Sequence, residues 1–217
     1  MKVFVEAGAK KVFAGAIDWP GLARSGKTEG EALAALVSYI PRYRKSLGKV
    51  AARLEPLDDA AAFKVVERLE GGSGTDFGVP SAVADFDRDK VSAAQLKDLL
   101  AILRASWAAF DKAAEVARGK ALATGPRGGG RTVAKMRDHV VEADGAYIRA
   151  LGASGPKSSA TWAEIQAAFV EAIEAKLRGE LPDVGPRGGE RWPARYAIRR
   201  SAWHALDHAW EIEDRVG

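Results

Sequence analysis

Two short segments near the N-terminus, residues 2–7 (KVFVEA) and 11–17 (KVFAGAI), alternate or run apolar on either side of a Gly-Ala-Lys turn. This pattern predicts a β-hairpin. After Asp18-Trp19-Pro20-Gly21 the period changes. Thr28 with Glu31 three residues on reads as a capping box, and Leu33, Leu36, Val37 and Ile40 follow at helical spacing. Pro41 kinks or ends that helix, although residues 42–47 can continue it. Residues 62–69 (AFKVVERL) read as a strand and 81–86 (SAVADF) as another, with the Gly71-Gly72-Ser73-Gly74 segment between them as a flexible loop. The expectation is a small β-β-α-β(β) module over residues 1–88.

From residue 89 onward the pattern is that of long amphipathic helices. Ser92 with Gln95 caps the first, whose buried side carries Leu96, Leu99, Leu100, Leu103, Trp107, Phe110 and Ala114. The second, about 132–151, clusters Val133, Met136, Val140, Ala143, Tyr147 and Leu151 in one arc. The third opens at Thr161 with Glu164 and buries Ile165, Phe169, Ile173 and Leu177. The last, about 195–214, has no Gly or Pro inside it and is opened by Pro193. Four such helices predict a four-helix bundle over 89–217, and the chain as a whole reads as α+β.

The last helix carries the candidate chemistry. His204 and His208 are two of the chain's three histidines, and their spacing of four puts both imidazoles on one helix face, where they can share a metal ion. At about 3.6 residues per turn, Tyr196, Trp203 and Trp210 form a separate aromatic ridge. The small residues Ala197, Ser201 and Ala205 flank the histidines and leave room beside them. The third histidine, His139, lies at the edge of the apolar arc of the second long helix, and the expectation is that all three meet. Glu142 and Glu211, each one turn past a histidine, are candidates for orienting a ligand or acting as general base. Asp207 reads as a surface or supporting acid.

Both histidine helices are preceded by nearly the same loop, GPRGGGR at 125–131 and GPRGGER at 185–191. Six identities in seven positions suggest two helix pairs of similar design. Arg127, Arg131, Arg187 and Arg191 then become candidates for holding a substrate carboxylate or phosphate. They can equally pin the loops down, with Arg127 and Arg187 pairing to acids such as Asp144 or Glu213.

Composition narrows the function. In 217 residues there is no Cys, so thiolate ligands, thiol nucleophiles and disulfides are excluded. The net charge of +4 resides largely in the loop arginines and the start of the last helix, without a basic stripe interleaved with aromatics, so a nucleic-acid partner is not expected. No apolar run approaches a membrane span and the N-terminal residues show no cleavage signature, which leads us to expect a cytoplasmic protein. Three neutral imidazoles suit zinc, nickel or ferrous iron and leave an open coordination position.

Two resemblances follow from these residues. The D-W-P-G turn followed by T-E-G-E-A-L faintly resembles the HicB-like fold over residues 3–40. Over about 90–217, the single histidine in Arg137-Asp138-His139-Val140 and the pair in Trp203-His204-Ala205-Leu206-Asp207-His208 resemble the DinB/YfiT-like superfamily of four-helix metalloenzymes. That resemblance implies that His139, His204 and His208 bind one divalent metal. Some members are S-transferases or isomerases that use a low-molecular-weight thiol, which for a chain without Cys must come from outside. The leading expectation is a metal-dependent transferase or hydrolase acting on a small anionic or electrophilic molecule. The alternatives are a non-catalytic metal-binding or interaction protein, dimerising through the bundle or the N-terminal sheet edge, and a HicB-like regulatory partner.

Overall fold

A computed structural model describes residues 1–124 and 130–216. The protein is α+β. Its elements are β1 (Lys2–Ala7), β2 (Val12–Ala16), β3 (Ala23–Gly26), α1 (Glu29–Leu47), β4 (Lys64–Glu70), α2 (Ser73–Phe77), α3 (Ala93–Val116), α4 (Val133–Leu151), α5 (Trp162–Leu177) and α6 (Ala194–Arg215). The chain divides into two compact units, Met1–Ser106 and Trp107–Gly217, and α3 runs through the boundary. Among the described residues, no helix is long and apolar enough to cross a membrane.

The first unit is built on a four-stranded sheet of order β3-β2-β1-β4. β1 pairs antiparallel with β2, as expected for a hairpin, while β4 lies parallel to β1. A parallel neighbour needs a crossover, and α1 lies in that connection. The run Val3, Phe4 and Val5 is buried on both faces of the sheet, whereas β4 alternates exposed and half-buried positions, as befits an edge. Thr28 caps α1 by accepting from the Glu31 amide at 3.2 Å. Glu31 reaches back to the Lys27 amide at 2.7 Å, one residue earlier than a reciprocal box would have it. Pro41 sits inside α1 without ending it, and the helix continues to Leu47. The helix buries Ala32, Leu36, Ile40, Tyr43 and Leu47.

Three local expectations need correction. The module is β-β-β-α-β, because the third strand precedes the helix. That strand, Ala-Arg-Ser-Gly, is a four-residue edge paired only to β2, too short and polar to show a period of two. Residues 81–86 form no strand; they lead into a tight turn over Asp85–Arg88, in which the Asp87 carboxylate accepts from the Ala84 amide at 2.9 Å. The Gly71–Gly74 stretch is not simply loop, since α2 begins at Ser73, with Thr75 buried beneath it.

In the second unit α4, α5 and α6 pack on one another. The α3 turns from Trp107 onward are tied to them: Trp107 meets the rings of Trp162 and Phe169 edge-on, at 5.8 and 5.7 Å between centroids. Most of the expected inner residues are buried, namely Trp107, Phe110 and Ala114 on α3, Met136, Val140, Tyr147 and Leu151 on α4, and Ile165, Phe169 and Ile173 on α5, while Leu96, Val133 and Ala143 are half-buried. Leu177, expected inside, is 37% exposed at the last turn of α5. The Thr161–Glu164 box is reciprocal, with Thr161 N–H donating to Glu164 at 2.6 Å and Glu164 N–H donating to the Thr161 hydroxyl at 3.3 Å.

The sheet makes one steric demand on sequence. A Cβ at Gly15 would lie 2.3 Å from the Phe4 ring across the hairpin. Gly15→Ala should therefore cost about 1–3 kcal/mol by overpacking, read as a lower urea midpoint. An unchanged midpoint would show that the Phe4 ring moves aside freely.

Candidate metal centre

Helix α6 runs from Ala194 to Arg215 with Pro193 at its N-cap, and Ala, Arg and Glu recur through it, all good helix formers. It is buried on nearly every side. Tyr196, Trp203 and Trp210, the aromatic ridge, are 2–4% exposed, and Ala197, Ser201 and Ala205 are at most 1% exposed. Into this setting α6 brings His204 and His208, while α4 brings His139.

The three imidazoles converge. His139 Nε2 and His204 Nε2 face each other at 3.1 Å. The ring centroids are 4.9 Å apart for His139–His204, 5.2 Å for His139–His208 and 4.7 Å for His204–His208. Each pair is steeply inclined, at 81°, 88° and 73°, so the rings meet by their edges. One ligand nitrogen from each residue lies within 4.8 Å of the others. Two imidazoles about 2.0–2.1 Å from one ion sit about 3.0–3.4 Å apart, which the His139–His204 pair satisfies as it stands.

Protonation favours the same use. Burial holds the pKa of His204 well below the usual histidine value, and the charges of His208, Arg200, His139 and Arg131 push the same way. His139 is also lowered, first by burial and then by His208, Arg131 and Arg200, with Glu211 opposing. Neutral imidazole is the ligating form. His208 Nδ1 pairs with Glu211 Oε2 at 2.9 Å, which leaves its Nε2 for the cluster. Glu211 in turn accepts from Arg215 Nη1 at 2.7 Å, and its pKa falls to about 2, chiefly through the His208 hydrogen bond. Arg215, 5% exposed, also donates to the carbonyls of Ala123 at 2.7 Å and Arg131 at 3.3 Å. A chain of contacts thus runs from the loop before α4, through Arg215 and Glu211, to His208.

One turn toward the α6 N-terminus lies a second polar layer. Asp144 on α4, 1% exposed, accepts through Oδ2 from Trp107 Nε1 at 2.9 Å and from the Ser201 hydroxyl at 3.0 Å. Trp107 Nε1 also reaches Ser201 Oγ at 3.0 Å. Burial raises the Asp144 pKa to about 7 against the pull of Ser201, Trp107 and Arg200. Arg200 spans the aromatic rings of Tyr147 and Trp203, at 5.6 and 4.9 Å from their centroids.

Of the other residues singled out from sequence, Glu211 touches a histidine, whereas Glu142 is exposed on α4. Arg131 is exposed, yet its charge acts on both His139 and His204. Arg187 is exposed at the tip of a turn in which Gly188 takes a φ of 83°. Arg191 donates to the carbonyl of Arg149 in the last turn of α4 at 3.0 Å, where a cation suits the helix end. Arg127 lies outside the described residues. Sequence reasoning missed Asp144, Ser201 and Trp107 as a hydrogen-bonded group, and Arg200 altogether. Asp144 was considered as a partner for a loop arginine, but the bonds it makes are to Trp107 and Ser201. The available signal was an acid set among Val140, Tyr147 and Ile148 on the buried side of α4.

Asp144 gives this layer a pH signature. Its pKa is about 7 in the folded chain against 3.8 as the reference. Folded protein therefore holds a proton that the unfolded chain has already released, and this group's contribution to stability falls as pH rises through that window. Asp144→Asn has no such proton, so its stability relative to wild type should improve by about 2–3 kcal/mol between pH 5 and pH 8. Comparing the two proteins at each pH isolates the effect of this one carboxyl. Urea unfolding at the two pH values measures the difference, and a difference that does not change with pH would contradict the assignment. Compared with known proteins, the chain matches no protein-family model, no curated protein and no solved structure.

Proposed function

We propose that the chain is a metal-dependent enzyme of the DinB/YfiT-like kind, a transferase or hydrolase acting on a small electrophilic or anionic substrate, with His139, His204 and His208 as ligands in a four-helix bundle. The convergence of these three imidazoles carries the reading. Their distribution supports it, one on α4 and an i,i+4 pair on α6, as in that superfamily. A divalent ion held there supplies Lewis acidity and lowers the pKa of a bound water or external thiol.

The chain's own groups prepare that chemistry. Burial keeps His139 and His204 neutral at physiological pH. Glu211 fixes the tautomer and orientation of His208, and Arg215 fixes Glu211. With its pKa near 2 and both oxygens engaged, Glu211 is a poor proton acceptor at neutral pH, so its role is to position the ligand. Glu142 remains the candidate for general base. Because the chain has no Cys, any thiol in the reaction comes as a co-substrate.

Protein purified without a histidine tag should carry or take up one equivalent of zinc, nickel or ferrous iron, measured by elemental analysis. His204→Ala should lose the metal and any turnover with low-molecular-weight thiols and electrophiles. Wild-type protein that takes up no metal would overturn the reading. A metal-loaded protein as inactive as His204→Ala across the panel would favour a non-catalytic metal protein instead. Glu211→Ala should weaken zinc binding about 10–100-fold by releasing His208, measured by competition with a chelator. Unchanged affinity would show that His208 needs no support.

A further inference from the structure

Arg200, His204 and His208 stand four residues apart along α6, so the guanidinium extends the line of the two imidazoles by one turn. Both rings that it lies over also meet His204, Tyr147 at 6.2 Å and Trp203 at 6.4 Å between centroids. Arg200 thus borders the histidine centre. Its planar group is held over two aromatic rings, Tyr147 from α4 and Trp203 from α6. Yet Nη1 is buried and has no hydrogen-bond partner among the described residues. A guanidinium N–H removed from water and left unpaired is costly, and such sites are retained where a ligand completes them.

The neighbouring acid does not complete it. Asp144 spends Oδ2 on Trp107 and Ser201, and among the described residues its buried Oδ1 has no partner either. Burial raises the pKa of that carboxyl to about 7, so it offers Arg200 only a partial counter-charge. What remains is a fixed cation, pre-oriented by the two aromatic rings, with an open donor one turn from His204.

We propose that Arg200 recognises the substrate's anionic group, and that the substrate is a small carboxylate whose reacting centre lies only a few bonds from that carboxylate. This rests on the metal-enzyme reading for the position of the chemistry, but anion binding at Arg200 does not require the ion. A single planar guanidinium with an open N–H matches a carboxylate in shape and charge. The short reach follows from the single helical turn between Arg200 and His204. Arg131, Arg187 and Arg191, exposed or bonded to backbone, are not needed for this role.

The test uses full-length protein, metal-free and zinc-loaded, titrated with acetate and with uncharged acetamide. Binding is followed by tryptophan fluorescence and by the side-chain N–H signals of 15N-labelled arginine. Acetate should give a saturable response that moves the Arg200 signal, and acetamide should not. Arg200→Gln should weaken acetate binding at least about tenfold, and Arg200→Lys, which keeps the charge without the planar fork, should recover only part of it. Both variants should keep zinc stoichiometry at the wild-type value. If Arg200→Gln fails to fold, the wild-type arginine signals and Arg200→Lys still decide. No saturable acetate response in wild type, or equal binding in the variants, overturns the proposal. Wild-type protein that binds acetate at Arg200 but no zinc supports the anion site while removing the metal reading.

Discussion

Burial of ionisable side chains between α4 and α6 is the constraint from which the rest of the second unit follows. His204 is 6% exposed, His208 9%, Asp144 1% and Arg215 5%. Removing such groups from water penalises their charged forms or demands a partner for each. The structure meets the demand in different ways: neutral imidazoles at His139 and His204, a carboxyl shifted toward its neutral form at Asp144, and an ion pair at Glu211–Arg215. Few arrangements of polar groups in a packed core satisfy all of these at once, which is why the side chains are so closely tied to one another.

The same constraint explains the division of labour along α6. Toward its C-terminus, Glu211 and Arg215 link His208 to the backbone of the segment preceding α4. Toward its N-terminus, Ser201 joins Asp144 and Trp107, which ties α6 to α4 and to α3. The histidines lie between two sets of hydrogen bonds that fix how α6 lies against α4. Pre-organisation of this kind is what a ligand set needs, since ring positions must hold to within a fraction of an ångström.

Much of this was legible in the sequence, and the exceptions have physical reasons. The long helices and the Ser92–Gln95 and Thr161–Glu164 caps follow from a period near 3.6 and from side chains that satisfy free helix-start amides, both local properties. The meeting of His139 with His204 and His208 could be read because the chain has only three histidines and two share a helix face. β3 was invisible because a four-residue edge strand needs no alternation, and residues 81–86 misled because apolar character alone does not distinguish a strand from a partly buried turn. Asp144 and Arg200 were missed for a different reason. Their importance comes from partners on other helices, Trp107 and Tyr147, that no local window connects to them.

The central claim is that nitrogens from three histidines on two helices share one ion. X-ray absorption at the zinc edge, on protein loaded with one equivalent of zinc, tests it most directly. The expected spectrum shows three imidazoles at about 2.0–2.1 Å, with the outer-shell scattering of the rings reduced to two in a His139→Ala variant. A zinc environment with one imidazole or none, unchanged by that substitution, would contradict it.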